Sequence, residues 1–213
     1  VNLRPLATPC IQVALDTIDG KEALKIAKKL PISGRLIIEA GTPLVKSEGI
    51  GIVTKIKKAV PSAFVVADLK TLDVGSLEVE IALRGGADAA AASGLAPRET
   101  LESFIEACRK NGIRSIVDSL NVKDPSEVLL SLSTKPDIAL LHRAIDAEAG
   151  SAPSYLRVPE LKKLGVLVAV AGGMDPAAIS EAKKLGGDIF VVGRYITGAA
   201  DPAAAARQCL SLL

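Results

Sequence analysis

Short apolar runs alternate with amphipathic, Lys- and Glu-rich segments along the chain. Eight of these runs read as strands: "CIQVALD", "RLIIEAG", "FVVADLK", "ADAAAAS", "RSIVDS", "IALLH", "VLVAVAG" and "IFVVGR". Between them lie segments with helical spacing, such as "GKEALKIAKKL", "PRETLESFIEACRKNG", "PELKKLG" and "DPAAISEAKKLGG". A last helical segment, "DPAAAARQCLSLL", follows the final strand. Near-continuous apolar strands with short connections predict a parallel sheet covered by helices. Eight strand–helix units in 213 residues predict a compact (β/α)8 barrel, the TIM-barrel arrangement. A doubly wound open sheet is the competing arrangement. The run "ADAAAAS" has helical propensity. Gly85 and Gly86 before it and Gly94 after it punctuate it, and a strand there keeps the alternation regular. No linker, low-complexity tract or shift in composition interrupts the pattern, so residues 1–213 are expected to form one domain.

Composition narrows the function classes. Apolar residues make up 49% of the chain, enough for a sizeable core, but aromatics are only 2% and Trp is absent. Val, Ile, Leu and Ala must therefore fill the interior. Few aromatics also argue against single-strand nucleic-acid binding, which relies on stacking. Net charge is +2 with both signs interspersed, so neither a DNA-binding stripe nor a polybasic membrane patch is expected. Cys10, Cys108 and Cys209 are far apart in sequence and form no C-x-x-C. They suit reduced thiols in a cytoplasmic protein. No apolar stretch approaches a membrane span, and "VNLRPLATPC" lacks a signal-peptide pattern. The first residue is Val1 rather than Met, which fits either trimming or excision from a longer polypeptide.

In a barrel of this type the chemistry sits at the C-terminal ends of the strands. Asp16 ends the first strand run and Glu39 lies near the end of the second. Asp68 and Lys70 end the third, Asp118 the fifth and His142 the sixth. The seventh and eighth end in "AGG" and "VGR", where backbone N–H groups can bind a phosphate. Residues two apart on a strand share a face, so Asp68 and Lys70 are expected to point the same way, while Asp73 falls past the strand end. Each residue also has a plain structural use. Asp68 and Lys70 can be an ion pair and Glu39 can anchor local hydrogen bonds. Asp73 can cap the helix that begins near Gly75. Asp118 can bond the following backbone, and His142 can pair with Asp146. Asp175-Pro176 can simply start a helix, and Arg194 can be a surface charge. Their joint placement at one rim favours a site.

The motif "DLKTLD" resembles the D-x-K-x-x-D signature of the orotidine 5′-monophosphate decarboxylase superfamily. With it, "IEAGTPLVKSEG", "VADLKTLDVG", "VAVAGG" and "VVGRYIT" resemble the 3-hexulose-6-phosphate synthases, above all the archaeal form found fused behind a formaldehyde-activating domain. The resemblance runs from "QVALD" to the C-terminus. The nucleotide decarboxylases carry Lys at the end of the second strand, where this chain has Glu39. The 3-keto-L-gulonate-6-phosphate decarboxylases carry Glu after the fifth strand, where this chain has Asp118, and Arg at the place of Ile145. The chain also departs from many bacterial synthases. It reads "HRAID" where they read H-x-G-x-D, and its fourth strand is smaller.

The resemblance implies aldol addition of formaldehyde to D-ribulose 5-phosphate, and the reverse cleavage, through a metal-stabilised enediolate. Mg2+ would sit on Glu39 and Asp68, with Lys70 as a fixed positive charge. Asp16 would orient Lys70 or bind a sugar hydroxyl. His142 would move a proton at C1. Asp118 would hold a substrate hydroxyl. Gly172, Gly173, Gly193 and Arg194 would hold the phosphate. A homodimer is implied, in which Asp73 enters the partner's site. The alternatives are the keto-gulonate decarboxylation and a non-catalytic barrel that binds sugar phosphates.

Overall fold

The structure is a computed structural model that describes residues 3–146 and 152–213. Its centre is a closed barrel of eight parallel strands in sequence order. The strands are β1 (Cys10–Leu15), β2 (Leu36–Ala40), β3 (Phe64–Thr71), β4 (Ala89–Ser93), β5 (Arg114–Asp118), β6 (Ile138–His142), β7 (Leu167–Ala171) and β8 (Ile189–Val192). All eight expected strands form, including the alanine-rich fourth. The helices are α1 (Gly20–Lys29), α2 (Thr42–Glu48), α3 (Gly51–Ala59), α4 (Gly75–Gly85), α5 (Arg98–Asn111), α6 (Pro125–Ser131), α7 (Val158–Lys162), α8 (Pro176–Lys184), α9 (Arg194–Thr197) and α10 (Pro202–Leu210). None of the described helices is long and apolar enough to cross a membrane.

The strand periodicity of two sorts side chains into two cores. One face of each strand turns outward. Ile11, Val13 and Leu15 of β1, for example, join Phe104 of α5 and Ile179 of α8 in the layer between strands and helices. The other face turns inward, where Cys10, Ala14, Ile37, Phe64, Val66, Ile116, Ile138, Leu140, Ile189 and Val191 fill the barrel. Continuing these inward stripes toward the strand C-termini reaches polar residues at the same spacing. Cys10 and Ala14 lead through Gln12 to Asp16, Ile37 to Glu39, Phe64 and Val66 to Asp68, Ile116 to Asp118, and Ile138 and Leu140 to His142. The site is thus the last polar layer of an otherwise apolar plug.

Helix starts follow their local chemistry. Asp124-Pro125, Asp175-Pro176 and Asp201-Pro202 each place a side-chain cap and a proline at the first turn of α6, α8 and α10. The barrel's opposite end is held by three aspartates placed just before alternate strands. Asp88 precedes β4 and accepts the Val65 N–H at 2.7 Å and Lys57 at 2.7 Å. Asp137 precedes β6 and accepts the Ser115 N–H at 2.9 Å. Asp188 precedes β8 and accepts the Val168 N–H at 2.7 Å and Lys162 at 2.8 Å. Each joins its own strand to the one before it with a charge-assisted bond.

Removing one such link leaves an N–H and an ammonium without a partner. Asp188→Ala is therefore expected to lower stability by about 1–3 kcal/mol. Urea unfolding checks this. A midpoint equal to wild type would show that water replaces the lost acceptor at no cost.

Candidate active site

The strand C-termini open into a cavity of about 1030 Å3. Its wall carries Asp16, Glu39, Asp68, Lys70 and His142 together with Gly172, Gly173, Gly193 and Arg194. Ile145 and Asp146 also reach it. Asp118 and Asp73 are absent from the wall, for opposite reasons.

Asp118 lies beneath the wall and is 0% exposed. Its Oδ2 accepts from Lys70 Nζ at 2.8 Å and from His142 Nδ1 at 2.9 Å. Its Oδ1 accepts the Leu120 N–H at 2.8 Å, the backbone turn that a strand-end aspartate can make. Burial raises the cost of its charge, but His142 and Lys70 outweigh this and hold the Asp118 carboxyl below the usual aspartate range. Because Asp118 is an ionised acceptor, His142 Nδ1 carries the proton and donates it. In the neutral ring, Nε2 is then the nitrogen that keeps a lone pair. The partner of His142 is therefore Asp118 rather than Asp146.

Lys70 is the hub. Nζ donates to Asp68 Oδ2 at 2.7 Å and to Asp118 Oδ2 at 2.8 Å. Burial works against the ammonium, yet the two carboxylates prevail and hold its pKa above the usual lysine value. The backbone reaches this arrangement by leaving the strand geometry. Lys70 has φ of 45°, in the left-handed region. Ala67 pairs with Ala90 but Thr71 pairs with Ala92, so β3 bulges across Asp68, Leu69 and Lys70. The shared direction of Asp68 and Lys70 thus comes from a bulge and an ion pair, not from regular strand alternation. Val74 is also left-handed, with φ of 48°. Two strained non-glycine residues within "LKTLDV" mark a segment held in place by its surroundings.

Asp73 lies between them, exposed, with Oδ1 accepting the Val74 N–H at 2.7 Å. It does not cap α4. Val74 occupies the capping position, and no side chain caps the helix.

The carboxylates crowd. Glu39 is buried, and burial together with the Asp68 charge pushes its carboxyl well above the usual range, against the pull of a Gln12 hydrogen bond. Asp16 is open to the cavity by surface area, yet the protein around its carboxylate and the nearby Asp68 push it up as well. Asp68 Oδ2 is taken by Thr42 Oγ1 at 2.7 Å and by Lys70, while Asp68 Oδ1 is buried without a partner. Among the described residues no three His, Cys, Asp or Glu side chains form a preformed metal cage. An orphaned carboxylate oxygen beside a second acid does fit a hard cation that keeps water or substrate oxygens for its other positions.

Glycines shape the remaining wall. A Cβ on Gly41 would collide with the Asp16 carboxylate and come 2.9 Å from the Leu15 carbonyl, so the bare backbone after β2 makes room for Asp16. Gly172 and Gly173 take φ of 94° and 66°, turning the chain after β7 so that it passes close to Arg143. Gln12, Thr42 and Gly41 were not singled out from the sequence. Gln12 could have been found as the one amide on an apolar inward stripe, whereas Thr42 and Gly41 carry no such signal.

A closed barrel with acids, a lysine and a histidine at its C-terminal mouth defines a (β/α)8-barrel enzyme. The chain belongs to the Orotidine 5'-phosphate decarboxylase / HUMPS family, whose model matches residues 9–209. It is 49% identical over 207 residues to a "Bifunctional enzyme Fae/Hps" of Methanothrix thermoacetophila, covering 96% of this chain and 53% of that protein. The chain thus spans about half the length of the curated relatives it matches. It superposes on a crystal structure of 3-hexulose-6-phosphate synthase with a TM-score of 0.87 and 33% identity, covering 96% of this chain and 99% of that one. KGPDC from Streptococcus mutans in complex with D-R5P gives 0.84 and 25%, covering 96% of each.

The raised Glu39 carboxyl has a stability consequence. Below an unfolded-state pKa of about 4.3 both states are neutral at this position and nothing is lost. Above it the unfolded chain ionises first, so stability falls as pH rises, until the folded carboxyl ionises too. Each unit of elevation costs about 1.4 kcal/mol once that limit is reached. In excess chelator, Glu39→Gln is therefore expected to melt higher than wild type at pH 8, with the gap closing toward pH 4. Calorimetry across that range checks it. A variant that melts lower at pH 8 would show that the charge stabilises the fold.

Proposed function

We propose that the protein catalyses the aldol addition of formaldehyde to D-ribulose 5-phosphate, and its reverse, as a 3-hexulose-6-phosphate synthase. The observation that carries this reading is the continuous chain of contacts Asp68–Lys70–Asp118–His142 at the barrel mouth. It joins a fixed positive charge to a histidine whose free nitrogen is set for proton transfer. A divalent cation such as Mg2+, held by Glu39 and Asp68, would supply positive charge to the paired oxygens of the reacting sugar carbons. Lys70 keeps its proton and stabilises negative charge that develops on the enediolate. His142 Nε2 takes the proton from C1 of the sugar, and the carbon then attacks formaldehyde. The alkoxide formed on the former aldehyde oxygen takes the proton back from His142. Asp118 is too deeply buried to hold a substrate hydroxyl, so we assign it instead to positioning His142 and Lys70. Asp16, in the space left by Gly41, would orient Lys70 or bind a sugar hydroxyl. The Gly172–Gly173 turn, Gly193 and Arg194 would take the phosphate.

Leu72, Val74, Leu77 and Leu95 are 51–56% exposed around Asp73 and in the neighbouring loop after β4. Such an apolar rim suits a two-fold contact with a second copy, in which Asp73 reaches the partner's cavity. The three free, buried cysteines suit a reducing compartment, which supports a cytoplasmic setting.

Ile145 gives the cavity wall an apolar side chain where the keto-gulonate reaction would draw on a guanidinium. The expected outcome is that kcat/KM for ribulose 5-phosphate with formaldehyde exceeds that for 3-keto-L-gulonate 6-phosphate by at least about tenfold, the effect of about 1.4 kcal/mol. Excess chelator should abolish both activities. Comparable constants, or full turnover in chelator, would overturn the assignment.

The dimer reading is checked by mixing. Lys70→Ala and Asp73→Ala should each be nearly inactive. Unfolded and refolded together in equal amounts, they should regain about a quarter of wild-type activity, because half the dimers are mixed and each has one complete site. No recovery would place Asp73 within its own subunit's function or outside the chemistry.

A further inference from the structure

The two acids proposed to hold the cation are each pinned by one oxygen. Glu39 is 7% exposed, and its Oε2 accepts from Gln12 Nε2 at 2.5 Å. Asp68 is 6% exposed, and its Oδ2 accepts from Thr42 Oγ1 at 2.7 Å and from Lys70. Asp68 Oδ1 has no partner at all. Gln12 is itself 3% exposed, on an inward stripe otherwise made of Cys10 and Ala14. A buried amide is costly unless it is bonded, so an apolar residue would serve that position better if filling the barrel were the only demand. Thr42 sits at the start of α2, directly after Gly41, and reaches across to β3 from there.

We infer that Gln12 and Thr42 are positioning residues that each occupy one oxygen of a metal-binding carboxylate and so present the other to a divalent cation. The inference rests on the reading of Glu39 and Asp68 above. The physical reason is rotational. A carboxylate free to spin about its last bond offers either oxygen in many directions. One strong hydrogen bond removes that freedom before the cation arrives, and the ordering cost is met in folding rather than in binding. Lys70 bonds Asp68 Oδ2 and Asp118 together, and Thr42 adds a second donor to the same Asp68 oxygen from the start of α2. Lys70 has no contact with Glu39 that would orient that side chain.

The test uses Mn2+ alone as the probe, titrated calorimetrically into the wild-type protein, Gln12→Met and Thr42→Val, without substrate. Both variants keep side-chain volume and lose the donor. Each is expected to bind Mn2+ about ten-fold or more weakly than wild type, with circular dichroism unchanged. Glu39→Gln serves as the control that loses a ligand outright. If Gln12→Met does not fold, Gln12→Asn carries the same comparison, since it keeps the amide on a shorter stem that no longer reaches Oε2. Folded variants with wild-type Mn2+ affinity would overturn the positioning role and leave the metal reading standing. A wild-type protein that takes up no Mn2+ would overturn both.

Discussion

The arrangement at the barrel mouth depends on one ammonium held between two carboxylates. Lys70 reaches Asp68 and Asp118 at hydrogen-bond distance. Taking any one of these three charges away would strand the others in a poorly solvated place. The same contacts explain why the backbone tolerates a left-handed lysine in a strand: the ion pairs offset a conformation that costs of order 1 kcal/mol or more. They also reach outward. Asp118 fixes the ring of His142, and Asp68 is left with one oxygen to spare. Position, protonation and ligand capacity at the mouth thus have a common origin.

The mouth carries more negative than positive charge. Asp16, Glu39, Asp68 and Asp118 face Lys70 in a small volume, and the fold leaves two of them, Asp16 and Glu39, reluctant to ionise. Such an arrangement is unfavourable for an isolated fold. It becomes favourable when a cation or a polarised substrate completes it. The apolar plug beneath supports this by denying water an easy route to the lower oxygens.

Much of the fold was legible along the chain, because most strands are short apolar runs closed by Gly or Asp. Even the alanine run of β4 could be placed, since glycines bracket it and the alternation needs it. The Asp175-Pro176 helix start was equally plain. The rim residues were legible as a group, for the inward stripes of β1, β2, β3, β5 and β6 end at them. Their relations were not. Asp118 looked like a surface contact for a sugar hydroxyl, and only the barrel's closure shows it beneath two other polar groups. The bulge at Lys70 left no trace in the pattern, because the motif keeps a spacing that a regular strand also satisfies. Gln12 and Thr42 gain meaning only from neighbours on other strands, a long-range relation that local periodicity does not encode.

The three aspartates before β4, β6 and β8 bind each of these strands to its predecessor at the end remote from the cavity. The second strand has Arg35 in the equivalent place, so the seam between β1 and β2 is closed there by backbone bonds alone. Three of the eight seams are thus stapled by a side chain at this end. These staples tie neighbouring strands at the rim remote from the cavity, with side chains that take no part in the site. A change of side chain at the cavity rim therefore leaves these three strand-to-strand links in place.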